Sequence, residues 1–153
     1  MLTPDKVDER ILSELLKNSR RSYNQLADIL KISPNTVLKR VKDMESQGVI
    51  KDYSVIVDHK KVGYEVTAII EIAAKEKLTG IERKLAQIPN IYGVYDVTGT
   101  SDAIIIGSFK NTNTLGKFTK QLIDNPLVYR TNTHIVLDKI KEDFRFMMPN
   151  GVN

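Results

Sequence analysis

The 153-residue chain contains no cysteine, which excludes disulfides, thiolate metal sites and cysteine nucleophiles. It has only two histidines, His59 and His134, and they stand in no HExxH or other metal-ligand spacing; neither a GxGxxG motif nor a P-loop occurs. Ser101, Asp102 and a histidine can be combined on paper into a triad, but nothing in their spacing supports it. No apolar run approaches the roughly 18 residues of a membrane span. The opening MLTPDKVDER mixes acidic and basic residues and does not read as a signal peptide. With 41% hydrophobic and 27% charged residues, the chain reads as globular and is expected in the cytoplasm, with no catalytic residue, metal or cofactor assigned. Its length suits one ordinary domain or two small ones.

The net charge of +4 is a weak pointer to an anionic partner, and its local clustering says more. From Lys31 to Lys42 there are four basic residues and no acidic one, and Lys17, Arg20 and Arg21 form a second small cluster. The first cluster lies in a run of helical signals. Val7, Ile11, Leu12, Leu15 and Leu16 recur at helical spacing and predict a helix over 5–18. Tyr23, Leu26, Ala27 and Leu30 mark a second helix of about two turns. Ser33 followed by Pro34 predicts the start of a third over 34–47, because Ser caps orphan amides and Pro is preorganised for the first helical position. Val37, Val41 and Met44 form its apolar stripe. At about 100° per residue, Asn35, Lys39, Lys42 and Ser46 fall opposite that stripe, with Leu38 on the flank.

Three helices, the last two joined by a short turn, describe a helix-turn-helix unit whose second element reads the DNA major groove. The alternative is a three-helix packing module with a solvated basic face. The short turn, the small Ala27 and the basic outer face together favour DNA. Lys31 stands in the turn where Gly is common, and a left-handed Lys there costs roughly 1 kcal/mol. On this reading Ser33, Asn35, Thr36 and Leu38 face the DNA, with Lys39, Arg40 and Lys42 mainly at phosphates; Thr36 and Arg40 lie nearer the buried side, which leaves a structural role open for one of them. The segment GVIKDYSVIVD then ends the helix and alternates into a strand, Tyr53, Val55 and Val57 against Ser54, Ile56 and Asp58.

Past DHKKVGY the pattern changes. Strands are predicted over 64–74, 91–98, 102–109 and 128–138, and helices over 78–88 and 113–123, the βαββαβ order of a ferredoxin-like sheet with both helices on one face. The strands are apolar on both faces: Ala68, Ile70 and Ile72 oppose Ile69 and Ala73, and Ile104 and Ile106 oppose Ala103 and Ile105. A second copy of the sheet is the simplest cover, and it gives the homodimer that helix-turn-helix proteins use on two half-sites. The tail carries Phe144, Phe146, Met147 and Met148, expected to pack on its own or a partner subunit. The domains are expected at 1–50 (helix-turn-helix), 51–63 (strand and hinge) and 64–153 (ferredoxin-like), an α+β chain.

The run S-x-N-T-V-x-x-R-V at Ser33–Val41, GVI at Gly48–Ile50, G-T-S-D at Gly99–Asp102 and T-N-T-H-I-V-L at Thr131–Leu137 resembles the Lrp/AsnC family of leucine-responsive and feast/famine transcription regulators. The resemblance covers nearly the whole chain and implies an N-terminal winged helix-turn-helix on double-stranded DNA and a C-terminal ligand-sensing ferredoxin-like domain. It also implies dimers joined through their sheets, further assembly of dimers, and an amino-acid effector pocket between them. The positions matching that pocket are Gly99, Thr100 and Asp102 in the loop and Thr131 and Thr133 on the last strand. A carboxylate suits an α-ammonium, and hydroxyls with a close Gly backbone suit an α-carboxylate. Read locally, TGTSD is more simply a hairpin turn whose Asp caps itself; the resemblance reverses that preference. The function implied is sequence-specific transcription regulation modulated by an amino acid; the alternative is a nucleoid-like architectural DNA-binding protein without an effector.

Overall fold

In the computed structural model, which describes residues 4–75 and 80–143, the polypeptide divides into two units, one running to Ile56 and also taking in Glu142 and Asp143, the other spanning Val57–Lys141. The first is built from α1 (Lys6–Lys17), α2 (Tyr23–Leu30) and α3 (Pro34–Ser46). Each helix starts on a side-chain cap. Asp5 and Asp8 form a reciprocal capping box at α1, Ser22 and Gln25 do the same at α2, and Ser33 precedes Pro34 at α3. The helices bury Ile11, Leu26, Ala27, Leu30, Val37, Val41 and Met44 as one core, with Val7, Leu15, Ile32 and Ile50 packed around it. Lys31 closes α2 in the left-handed region, φ 58°, and the amides of Lys31 and Ile32 both return to the Ala27 carbonyl. That turn swings the chain abruptly into α3.

The strand expected around Tyr53–Val57 does not form: residues 51–58 lack regular structure, and Val55 and Ile56 are 80% and 76% exposed. Period-two alternation makes a segment competent to pair, but a strand exists only when another backbone accepts its N–H and C=O groups. No described segment does so here. Tyr53 is nonetheless anchored, its hydroxyl donating to Glu45 Oε1 of α3 at 2.8 Å. Burial first and this carboxylate second push the phenol pKa upward.

In the second unit a short 3-10 turn, Lys60–Val62, leads into β1 (Val66–Ala74), α4 (Ile81–Leu85), β2 (Ile91–Asp96), β3 (Ala103–Phe109), α5 (Thr112–Ile123) and β4 (Val128–Ile135). The sheet order is β2-β3-β1-β4, antiparallel throughout, as the βαββαβ reading requires. Ala68, Ile70, Ile72, Ala103, Ile105 and Phe109 form its helix-side core with Leu85, Leu115 and Leu122. Several element ends differ from expectation. β1 starts at Val66 rather than Tyr64, whose amide turns back to the His59 carbonyl. β2 ends at Asp96 and β3 starts at Ala103. β4 stops at Ile135, since beyond the bond from Val136 N to Thr67 O the partner strand β1 runs out at Val66. α4 ends at Leu85 rather than 88, its last turn tightening through Gln87 N to Lys84 O and Ile88 N to Leu85 O; Pro89 disfavours helical backbone at the residue before it. The expected start of α4 at 78 and the apolar tail from Phe144 lie outside the described residues.

The other sheet face carries Thr67, Ile69, Glu71 and Ala73 from β1, Ile104, Ile106 and Ser108 from β3, and Asn132 and His134 from β4, as the pairings Ile69↔Ile106, Ile69↔His134 and Glu71↔Asn132 place them. No helix covers it.

Candidate DNA-reading face and effector site

α3 presents Asn35, Lys39 and Lys42 to solvent and leaves Leu38 half-buried. This follows from its stripe: with Val37, Val41 and Met44 at 0–1% exposure, residues about half a turn away must face outward. Ser33 and Thr36 are exposed but committed to the cap. Ser33 Oγ accepts the Thr36 amide at 3.1 Å and lies 2.8 Å from Thr36 Oγ1. Arg40, expected mainly at phosphates or else in a structural role, is bonded within its own unit. Its Nη1 donates to Asp5 Oδ2 and Asp8 Oδ1, both at 2.8 Å. The two carboxylates and the hydrogen bonds they make to it raise the guanidinium pKa. The Asp8 amide first and Arg40 second hold the Asp5 carboxyl below the usual range.

These groups line a shallow open depression of about 600 Å³ made by Asp5, Asp8, Asn35, Thr36, Lys39, Arg40 and Asp43. The two α1 aspartates were missed as site residues. Their D-x-x-D spacing signals a capping box in the sequence; that the box also meets α3 depends on how the two helices pack.

In the second unit the loop 97–102 is closed by Val97 N to Asp102 O at 3.0 Å, and Asp102 N meets Ile72 O at 2.8 Å. Gly99 takes φ +127°, where an L side chain is strained. Thr100 and Asp102 are exposed. The Asp102 carboxylate caps the end of β1, Oδ2 accepting the Ala74 amide at 2.7 Å. Thr131 and Thr133 are half-exposed on β4, opposite Ile72 and Ile70. Loop and threonines therefore share one end of the sheet, but β1 separates them. The Asp102 carboxylate itself reaches β1, at the Ala74 amide, and β4 is the next strand of the sheet.

A polar cluster missed from sequence stands beside this loop on the uncovered face. Ser101 Oγ donates to Glu71 Oε2 at 3.1 Å, and His134 Nε2 lies 3.1 Å from Glu71 Oε1 and 3.0 Å from Asn132 Nδ2. Nε2 cannot accept from Asn132 and donate to Glu71 in one protonation state. The Ser101 hydroxyl first, then His134, hold the Glu71 carboxyl below its ordinary value. Ser101 and His134 thus both address Glu71 rather than each other, which is not a nucleophile and base arrangement. The second histidine, His59, meets Ser108 Oγ at 2.8 Å through Nδ1 and stacks obliquely near Tyr92; Ser108 is 3% exposed and also bonded to Thr67, a contact that fastens the start of this unit to its sheet. Among the described residues, no group of three or more His, Asp or Glu is placed to hold a metal ion, and no helix is long and apolar enough to cross a membrane.

Residues 4–51 match the winged helix-turn-helix DNA-binding family, and residues 67–146 match the Lrp/AsnC ligand binding domain. An HTH-type transcriptional regulator of Pyrococcus horikoshii is 42% identical over 142 residues, covering 92% of this chain and 96% of that one. The structure of LrpC from B. subtilis is similar with a TM-score of 0.84 at 29% identity, over 93% of this chain and 100% of that one. A transcriptional regulator of Neisseria meningitidis, solved as a complex with L-Met, shares the fold with a TM-score of 0.88 at 24% identity, over 94% of this chain and 96% of that one.

Proposed function

The chain belongs to the Lrp/AsnC family of transcriptional regulators, and from that premise we propose that it binds specific double-stranded DNA sequences through α3 and that an amino acid modulates its assembly or its DNA binding. A helix-turn-helix DNA-binding domain is followed by a ligand-binding domain, in a family of transcriptional regulators.

The observation that carries the reading is the outward face of α3. Asn35 offers a bidentate amide suited to adenine, and Lys39 and Lys42 offer point charges suited to phosphates. Leu38, Ser33 and Thr36 lie at the rim of the same surface. For the effector, Asp102 supplies a carboxylate for the ammonium, with Gly99 and Thr100 beside it and Thr131 and Thr133 as hydroxyl donors for the carboxylate. The loop and the threonines lie at one end of the sheet, with Thr100 and Asp102 exposed, which is compatible with a pocket between dimers. The uncovered sheet face, with Ile69, Ile104 and Ile106, supports sheet-to-sheet pairing as the dimer. Residues 1–50, 51–63 and 64–153 are the functional divisions we assign.

One observation favours the second reading, an architectural DNA-binding protein without an effector: Asp102 already has structural work at the Ala74 amide. A footprint on the protein's own promoter, with and without a panel of amino acids, separates the two. A sharp footprint altered by one amino acid supports regulation by an effector. Sequence-indifferent coverage unaffected by every amino acid refutes it.

A further inference from the structure

Asp5 and Asp8 are more than a helix cap. In each carboxylate one oxygen serves the box: Asp5 Oδ1 accepts the amides of Val7 and Asp8 at 2.8 and 3.0 Å, and Asp8 Oδ2 accepts the Asp5 amide at 3.0 Å. The other oxygen of each accepts from Nη1 of Arg40, at 2.8 Å in both cases. The first turn of α1 is thereby fastened to the middle of α3, and the most versatile phosphate-binding side chain on that helix is occupied from within.

We propose that Asp5 and Asp8 withhold Arg40 from the DNA backbone, so that α3 engages phosphates through Lys39 and Lys42 alone, and that this positioning pair sets the ratio of specific to non-specific DNA binding. Every cation that reaches a phosphate releases counterions and raises affinity for all sequences alike, without adding discrimination. To reach a phosphate, Arg40 has to break two charge-assisted bonds and leave Asp8, whose side chain is 7% exposed, without its counter-charge next to a polyanion. Asp43, which lines the same depression, adds a further charge that disfavours a misplaced phosphate. Among the described residues, no carboxylate bonds Lys39 or Lys42, and both are exposed.

This inference rests on α3 being the DNA-facing helix, and the experiment tells the two apart. The full-length protein is titrated by fluorescence anisotropy against a labelled duplex of mixed sequence and against a site selected from a random library, across a range of salt concentrations. The variants are Asp5→Asn/Asp8→Asn, Arg40→Gln, the triple combination, and Lys39→Ala/Lys42→Ala. Asn is as good a cap as Asp, so the double Asn variant keeps α1 started while releasing Arg40. Its salt slope on the mixed duplex steepens by about one unit, and the ratio of specific to non-specific affinity falls. Arg40→Gln alone leaves the slope unchanged, and the triple variant returns it to the parent value. Two results overturn the proposal: a slope flattened by about one unit in Arg40→Gln, which makes Arg40 a phosphate contact, or a steepening that survives in the triple variant, which makes the gain one of lost negative charge alone. If Lys39→Ala/Lys42→Ala does not flatten the slope, the assignment of α3 fails. If it does and the Asn variant behaves as the parent, only the withholding of Arg40 fails. Arg40→Gln leaves both caps intact and decides the first question even if the Asn variant folds poorly.

Discussion

Asp102 has two roles that substitution can pull apart. Its Oδ2 accepts the Ala74 amide at 2.7 Å, and in the proposed pocket its charge meets the effector's ammonium. Asn keeps a side-chain oxygen for the amide and removes the charge; Ala removes both. The Ala74 bond is exposed, so its loss in Asp102→Ala costs folding only about 1 kcal/mol, the ordinary net value of one hydrogen bond. Asp102→Asn changes folding by a few tenths at most. The ammonium contact is charge-assisted, so Asp102→Asn weakens effector binding by roughly 1.5–3 kcal/mol, about 10- to 150-fold in Kd. Isothermal calorimetry with the twenty amino acids on parent and variants, together with urea denaturation of each, reads both quantities. An amino acid that binds the parent and Asp102→Asn equally well refutes the assigned role. In that case the carboxylate is a loop cap and the ammonium is held elsewhere.

Ile106→Asp puts a charge between Ile69 and Gly93 on the uncovered sheet face, and the full-length variant is expected to sediment as a monomer; a variant that sediments like the parent excludes this face as the dimer contact. The native Glu71 carboxyl lies below its ordinary range, so its contribution to stability is complete above the unfolded carboxylate pKa and is lost as pH falls through the lowered native value. Glu71→Gln is therefore expected to flatten the acid limb of the urea midpoint against pH, and an acid limb identical to the parent's counts against the Ser101 and His134 contacts. Lys31 is left-handed at φ 58°. Replacing it by Gly relieves about 1 kcal/mol but gives back roughly 0.4–1 kcal/mol in unfolded-state freedom. Lys31→Gly thus ranges from neutral to slightly stabilising in a thermal melt, whereas a drop in Tm reveals a side-chain role for Lys31 that the turn geometry lacks.

The parts legible in the sequence are those whose cause is local. Ser33-Pro34 announced α3 because a cap and a fixed φ act within one turn, and the stripe Val37, Val41, Met44 fixed its outer face by helical period alone. The βαββαβ order followed from alternation in strands whose core residues, Ala68, Ile70, Ile72 and Ile105, are all at 0% exposure. Arg40 was harder. Its place near the buried side was visible on the wheel, but its partners lie 32 and 35 positions earlier, and only tertiary packing brings them together. The Glu71, Ser101, Asn132 and His134 cluster was illegible for the same reason: three different segments contribute to it, and no spacing rule links them. Asp102 shows the opposite difficulty. Both of its readings, turn cap and ligand contact, were open in the sequence, and a bond to Ala74 is compatible with either.

The strand that failed to form around Tyr53–Val57 and the sheet face that no helix covers are the same kind of feature. Val55 at 80% exposure, Ile56 at 76% and Tyr95 at 45%, with Ile69, Ile104 and Ile106 half-buried on the sheet, are apolar positions that no other described residue fully covers. Burial of one such side chain is worth roughly 1.5–3 kcal/mol, so a handful left in water forgoes an amount comparable to the net stability of a whole domain, about 5–15 kcal/mol. A pattern that costly in a monomer supports the proposed pairing of two copies. Period-two alternation in 53–57 specifies a pairing register that only another backbone can accept, and the two-faced sheet specifies an apolar surface that only a second layer can dry. Disrupting the sheet face should therefore weaken DNA binding as well, since two α3 helices on one duplex require a fixed spacing between half-sites. A monomeric Ile106→Asp variant that binds a selected palindromic site as tightly as the parent shows that spacing is set by something other than the sheets.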